Sequence, residues 1–179
     1  ITGDPYLESK IFDFILRLIL TLPPAAIVLM LLVFRWRIGG IKATLLSMVP
    51  AVVGAALTLG GIGWFLGQIS LVTVIVPVFV IVMGSADGLH FTSHYLDSIE
   101  EGVEKREAIS RTFEAVGIPM VMTTITTMVG FLSMLFVESE AMRTMGVCAS
   151  VGILLAGIVT WTTLPAILLN IDVRRAKTG

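Results

Sequence analysis

The chain is poor in charge, cysteine and histidine. Only 14% of its 179 residues are Asp, Glu, Lys or Arg, against about 25% in soluble domains. Fully 56% are hydrophobic, and mean hydropathy is +0.97. Apolar surface on that scale needs lipid rather than water as its solvent. A net charge of −1 gives no electrostatic basis for binding nucleic acid. The single cysteine, Cys148, cannot form an intramolecular disulfide, so redox compartment is unmarked. Zinc-type ligand spacing and phosphate-cradling glycine loops are both missing, and no cofactor is expected. Ile1 to Ser9 lack the pattern of a cleavable signal peptide. With Ile rather than Met at position 1, the chain reads as a piece of a longer protein.

What the chain has is five long apolar runs: about Phe12–Phe34, Ile41–Leu66, Ile69–Tyr95, Gly117–Val137 and Met142–Leu169. A bilayer crossing takes about 20 such residues as helix. Lipid offers no partner to an open backbone, and the runs do not alternate as barrel strands do, so each span is expected to be helical. The expected fold is all-α: one polytopic five-helix transmembrane bundle over residues 1–179.

Charge sets the expected orientation. Arg35, Arg37, Lys42, Lys105, Arg106, Arg111, Arg174, Arg175 and Lys177 fall on one set of flanks, and only Lys10, Arg17 and Arg143 on the other. Nine against three places the first set in the cytoplasm. The first residue is then outside and the last inside, in a cytoplasmic (inner) membrane, with a further helix expected upstream. The polar run 97–114 pairs Glu100 with Glu104, Glu101 with Lys105 and Glu107 with Arg111 at i,i+4, and sets Ile109, Phe113 and Val116 on one face. It is expected to be a short amphipathic helix at the cytoplasmic interface, broken by Gly117 and Pro119 before the fourth span; the alternative is a solvated linker. Ala51, Gly54, Ala55, Gly60, Gly61 and Gly63 allow close helix approach in the second span. Pro24, Pro50, Pro77 and Pro165 are each expected to kink a helix.

The chemistry concentrates in Gly84–Tyr95, reading GSADGLHFTSHY. Asp87 follows the apolar run 69–83 without a break, which places it inside the membrane. A carboxylate there costs about 2.5–3.5 kcal/mol on insertion scales, so such residues are rare and functional by default. At about 100° per residue, Asp87, His90 and His94 share about 60° of arc, a polar stripe some ~10 Å long. Titrating groups within reach of one another are what a proton path needs. Against this stand an ion pair of Asp87 with Arg17, which lies near the opposite end of its span, and a solvated, structural His94. The spacing His90-x-x-x-His94 also suits a metal, but two histidines and a carboxylate without thiolates make an incomplete site, and no metal is expected. In the fourth span Thr123, Thr126 and Thr127 share a face. Thr123 and Thr127 are expected at the depth of Asp87, with Thr160 and Thr163 of the fifth span. Hydroxyls donate and accept, so they can hydrogen-bond a carboxyl in either protonation state.

These residues resemble the fourth transmembrane helix of RND-superfamily exporters, with Asp87, His90 three residues on, Tyr95 and then Glu100-Glu101. The hydrophobe/amphiphile exporters related to the MMPL lipid transporters are the nearest group. The run Thr123–Phe131, TTITTMVGF, resembles the fifth helix of that family, and Pro165 near the end of the last span fits it too. The likeness covers the chain as helices two to six of one half, and the unit also resembles a sterol-sensing domain. It implies a five-helix bundle of the RND transporter type, not an enzyme, in a protein of two such halves with extracytoplasmic porter domains. It implies that proton entry at Asp87 drives export of lipids or other hydrophobic molecules, with His90 matching the pattern less decisively. Membrane lipids, the hydrophobic substrate, the second half and further copies of the protein are the implied partners. His94 departs from the family, which often has Arg before the Tyr. The alternative is a lipid-sensing or scaffold domain without transport.

Overall fold

The computed structural model describes residues 5–38, 40–66 and 73–173. They form five long helices: α1 (Pro5–Ile38), α2 (Ile41–Leu66), α3 (Val76–Glu100), α4 (Lys105–Leu132) and α5 (Glu140–Asn170). Single 3₁₀ turns at Thr73–Ile75 and Ser133–Phe136 lead into α3 and out of α4. All five helices are long and apolar enough to cross a membrane. Their outward faces carry large apolar side chains such as Phe12, Leu20, Leu29 and Ile118, the reverse of a water-soluble surface. Trp36 at one end of the bundle, and Trp64 and Phe136 at the other, stand almost fully exposed. They match the aromatic girdles of the two membrane interfaces.

Close contacts fix the helix directions. Along α2 and α5, Gly54 meets Ala156 and Thr58 meets Gly152; along α4 and α5, Phe131 meets Gly146 and Thr124 meets Gly157. Each pair runs in opposite senses, so α2 and α4 are antiparallel to α5, while α3 runs parallel to it. The interfaces are made of small residues. A Cβ at Gly54 would lie 2.8 Å from Ala156, and one at Gly146 would lie 2.5 Å from the Phe131 carbonyl oxygen. In lipid, helix association rests on packing and interhelical bonds, and close backbone approach supplies both.

Buried side chains fall into two clusters. One lies toward the α1–α2 and α3–α4 links and gathers Ile38, Phe91, Tyr95, Ala108, Val116, Leu164 and Leu168. The second, toward the other end, gathers Phe34, Met48, Val80, Ile81, Ile153 and Ala156. α1 joins through its second half, where Phe34 and Ile38 are buried. Its earlier half, including Arg17, is largely exposed.

The polar run 97–114 is not one helix. α3 continues to Glu100 and stops at Gly102, whose φ of +83° is a left-handed conformation that suits glycine. The Val103 N–H donates to the Ser98 carbonyl and the Gly102 N–H to the Ile99 carbonyl, the paired bonds of a Schellman end. α4 begins at Lys105 and runs unbroken through Gly117 and Pro119. Proline forfeits one backbone bond there. Ala108, Ile109, Val116 and Met120 are anchored in one buried cluster on both sides of it, which holds the helix together. Glu107 does pair with Arg111, at 2.6 Å. Lys105, expected to pair with Glu101, instead meets Asp172 beyond α5 at 2.6 Å.

Pro77 differs from the expected kink. It lies in the first turn of α3, where its missing N–H breaks no helical bond. Pro24, Pro50 and Pro165 lie inside continuous helices. Ile69 to Val72, and Arg174, Arg175 and Lys177, lie outside the described residues.

Candidate functional site

Asp87 is aimed by the glycines on either side of it. Gly84 packs on α2 and α5, where a Cβ would come 3.3 Å from the Ala51 Cα and 3.2 Å from the Ala156 Cβ. Gly88 rests on the backbone carbonyl of Ser47. One face of α3 is thereby pressed against α2 and α5, and the neighbouring face, bearing Asp87 and His90, turns toward α4. Two aromatic contacts hold α3 and α4 at fixed spacing to either side. Phe79 meets Phe131 at 5.2 Å between ring centroids, and Phe91 meets Phe113 edge-on at 5.1 Å.

Between those contacts lies a cavity of about 120 Å³ whose polar lining is Asp87 and His90 from α3 and Thr123, Thr124 and Thr127 from α4. Ile153 of α5 closes the back. Asp87 is half-buried and His90 stands at the exposed rim. The Thr123 hydroxyl donates to the Met120 carbonyl at 2.9 Å and keeps its lone pairs for a donor from the cavity. The arrangement brings together a carboxyl, an imidazole and three hydroxyls around one cavity, with room for water between them. Such a set can accept, hold and pass on a proton.

The remaining residues of the expected polar layer lie elsewhere. Thr160 is fully buried and donates to the Ala156 carbonyl at 2.8 Å, within its own helix and apart from the cavity lining. Thr126 is exposed and bonds back to the Met122 and Thr123 carbonyls. Thr124, which sequence reading did not select, lines the cavity in its place. At about 100° per residue, Thr126–Thr123–Thr127 and Thr123–Thr127–Thr124 span arcs of equal width. Only the position of α5, against which Thr124 packs at Gly157, decides between them. His94 is exposed and outside the lining. Arg17 lies far along α1 in a surface cluster with Lys10 and Asp13, away from Asp87.

Beyond the cavity, Tyr95 is 1% exposed, and its hydroxyl donates to the Leu168 carbonyl at 3.3 Å. That carbonyl is among the last four of α5, which have no partner in their own helix. Tyr95 therefore ties the end of α3 to the end of α5.

The sequence profile of the MMPL family matches residues 2–176, almost the whole chain. The chain belongs to the MMPL family. MMPL proteins form one family of the RND superfamily, so this is a multi-pass membrane protein of RND type. It is also similar to a protein of Methanocaldococcus jannaschii whose name says no more than that it is a membrane protein. The two are 24% identical over 126 residues, which cover 70% of this chain and 32% of that protein. This MMPL chain thus spans about a third of that relative's length.

Proposed function

We propose that this domain carries the protons that drive export of lipids or other hydrophobic molecules, with Asp87 as the residue that takes up and releases them. The observation that carries the reading is the Asp87 cavity: a carboxyl inside a membrane span, flanked by His90, Thr123, Thr124 and Thr127 and aimed by Gly84 and Gly88. Membership of the MMPL family supports a transporter rather than an enzyme. In the cycle, Asp87 gains a proton from one side of the membrane and gives it up to the other. The threonine hydroxyls donate to the carboxylate and accept from the acid, so both states are accommodated. His90, at the rim, relays protons between the cavity and the membrane surface.

The ends of the bundle that carry Arg35, Arg37, Lys42, Lys105, Arg106 and Arg111 face the cytoplasm in this reading. The first described residue is then outside and the last inside, in the inner membrane. The full protein supplies a second transmembrane half and the soluble porter domains that handle the substrate.

The test is proton flux. The full protein is reconstituted in liposomes carrying a pH-sensitive dye, with a hydrophobic substrate loaded on one side. Substrate-dependent proton movement, dissipated by a protonophore, is expected. A protein that binds lipid but moves no protons under any imposed gradient would instead be the sensing or scaffold domain.

A further inference from the structure

Apolar and polar side chains of α3 are divided around Asp87. From Val74 to Gly84 every side chain is apolar, whereas His90, His94 and Asp97 follow Asp87 and stand exposed toward the α3–α4 link. At about 100° per residue, Phe79 lies within about 20° of His90, on the same line of α3 and about three turns away. Its ring meets Phe131 of α4 at 5.2 Å between centroids, tilted by 56°. Met83 and Thr127, one turn nearer Asp87 on each helix, line the cavity beneath that pair. Phe131 also packs against the buried cluster of Val80, Ile81 and Ile153, and Met128 to Leu132 of α4 add no polar side chain. The other aromatic pair is placed differently. Phe91 is 0% exposed and turns about 100° from His90 into the bundle, so its contact with Phe113 leaves the His90 rim open.

We infer that the Phe79–Phe131 pair, with Met83 beneath it, is a gate that closes Asp87 to the end of the bundle holding the α4–α5 link. The structure is then the state in which Asp87 opens toward the α3–α4 link, past His90. Proton transfer runs along water or along titratable groups. An apolar constriction excludes both, because water leaves a narrow hydrocarbon neck. The plug from Phe79 to Asp87 is about 12 Å long at the rise of a helix. Two phenyl rings hold each other by contact alone, with no hydrogen bond to break, so a small shift of α3 against α4 parts them. A carboxyl open to both sides at once would leak protons, and a carrier of the proposed kind needs such a closure. The gate's part in proton coupling rests on the reading of Asp87 as that carrier; the closure of the cavity does not.

The experiment reads access to the cavity through a thiol. Thr127→Cys is placed in the full protein freed of its other cysteines, Cys148→Ser among them. A membrane-impermeant thiol reagent is added to intact cells or to inside-out vesicles, with Glu101→Cys and Glu138→Cys marking the side that each exposes. Thr127→Cys is expected to react only from the Glu101 side. Adding Phe79→Ala, or separately Phe131→Ala, should raise its rate from the Glu138 side several-fold. Phe113→Ala breaks the other ring pair and loosens α3 against α4 comparably, yet should leave that rate unchanged. Reaction from the Glu138 side with both rings in place would overturn the gate. So would an unchanged rate when either ring is removed, or the same rise in Phe113→Ala. Proton leak separates the gate from the carrier reading. In liposomes Phe79→Ala should pass protons without substrate, and adding Asp87→Asn should stop the leak. Opened labelling without a leak would uphold the gate and reject Asp87 as the carrier.

Discussion

Gly88 lies directly on the carbonyl oxygen of Ser47, so that even a methyl group at position 88 would overlap the α2 backbone. This contact sets how far α3 can turn, and hence where Asp87 points. Gly88→Ala must push two helices apart. It is expected to destabilise the protein by at least the roughly 1–3 kcal/mol usual for overpacking, because the obstacle is backbone rather than a movable side chain. Gly60→Ala is the control, since a Cβ there meets nothing within 4 Å. Thermal unfolding in detergent should show a clear loss for the first and almost none for the second.

The threonines of α4 can be separated by their direction. Thr124→Val and Thr127→Val remove hydroxyls from the Asp87 cavity while keeping side-chain shape, and each is expected to slow proton-coupled export several-fold. Thr126→Val, whose hydroxyl bonds only to its own helix, should leave export unchanged. Equal effects at all three positions, measured as initial rates of proton flux, would mean that the cavity has no special role.

How far the site was legible from sequence varies from residue to residue. Hydropathy pointed to five long apolar helices because the need to bury backbone polar groups leaves few choices in lipid, and α2 spans the same Ile41–Leu66 that the apolar run marks out. Asp87, His90, Thr123 and Thr127 meet at one cavity because helical spacing and depth are both countable along a chain. The choice of Thr124 over Thr126 was not countable, since it depends on where α5 stands. Gly102 was a readable signal: a glycine closing an apolar helix suits the left-handed end seen here, and it separates α3 from α4 within the run 97–114. The continuity of α4 through Pro119 could not be read locally, because packing on both sides outweighs one missing bond.

Tyr95 should matter to stability rather than to proton transfer. Tyr95→Phe removes the donor to the Leu168 carbonyl and leaves a buried acceptor unsatisfied, which typically costs about 1–3 kcal/mol. A lowered unfolding midpoint with export per folded molecule intact is the expected outcome. Loss of export at unchanged stability would place Tyr95 in the proton path instead.

The pair Lys105–Asp172 joins the same end of the bundle but is largely open to solvent, with Asp172 84% exposed. Asp172→Asn is therefore expected to cost no more than about 1 kcal/mol. The effect should shrink further in high salt, as followed by unfolding at two ionic strengths.

The most direct measurement is proton flux and thermal unfolding of Asp87→Asn, compared side by side in the full protein. Asn keeps the size and hydrogen bonding of Asp but cannot exchange a proton. Removing a buried charge that has no cationic partner is neutral or stabilising, whereas abandoning a buried cation costs about 3–5 kcal/mol. The intramembrane candidate, Arg17, lies in its own surface cluster. If Asp87 is the proton carrier, the variant reaches the membrane, unfolds at or above the wild-type temperature and moves neither protons nor substrate. A variant that folds normally and still exports at the wild-type rate would contradict that assignment.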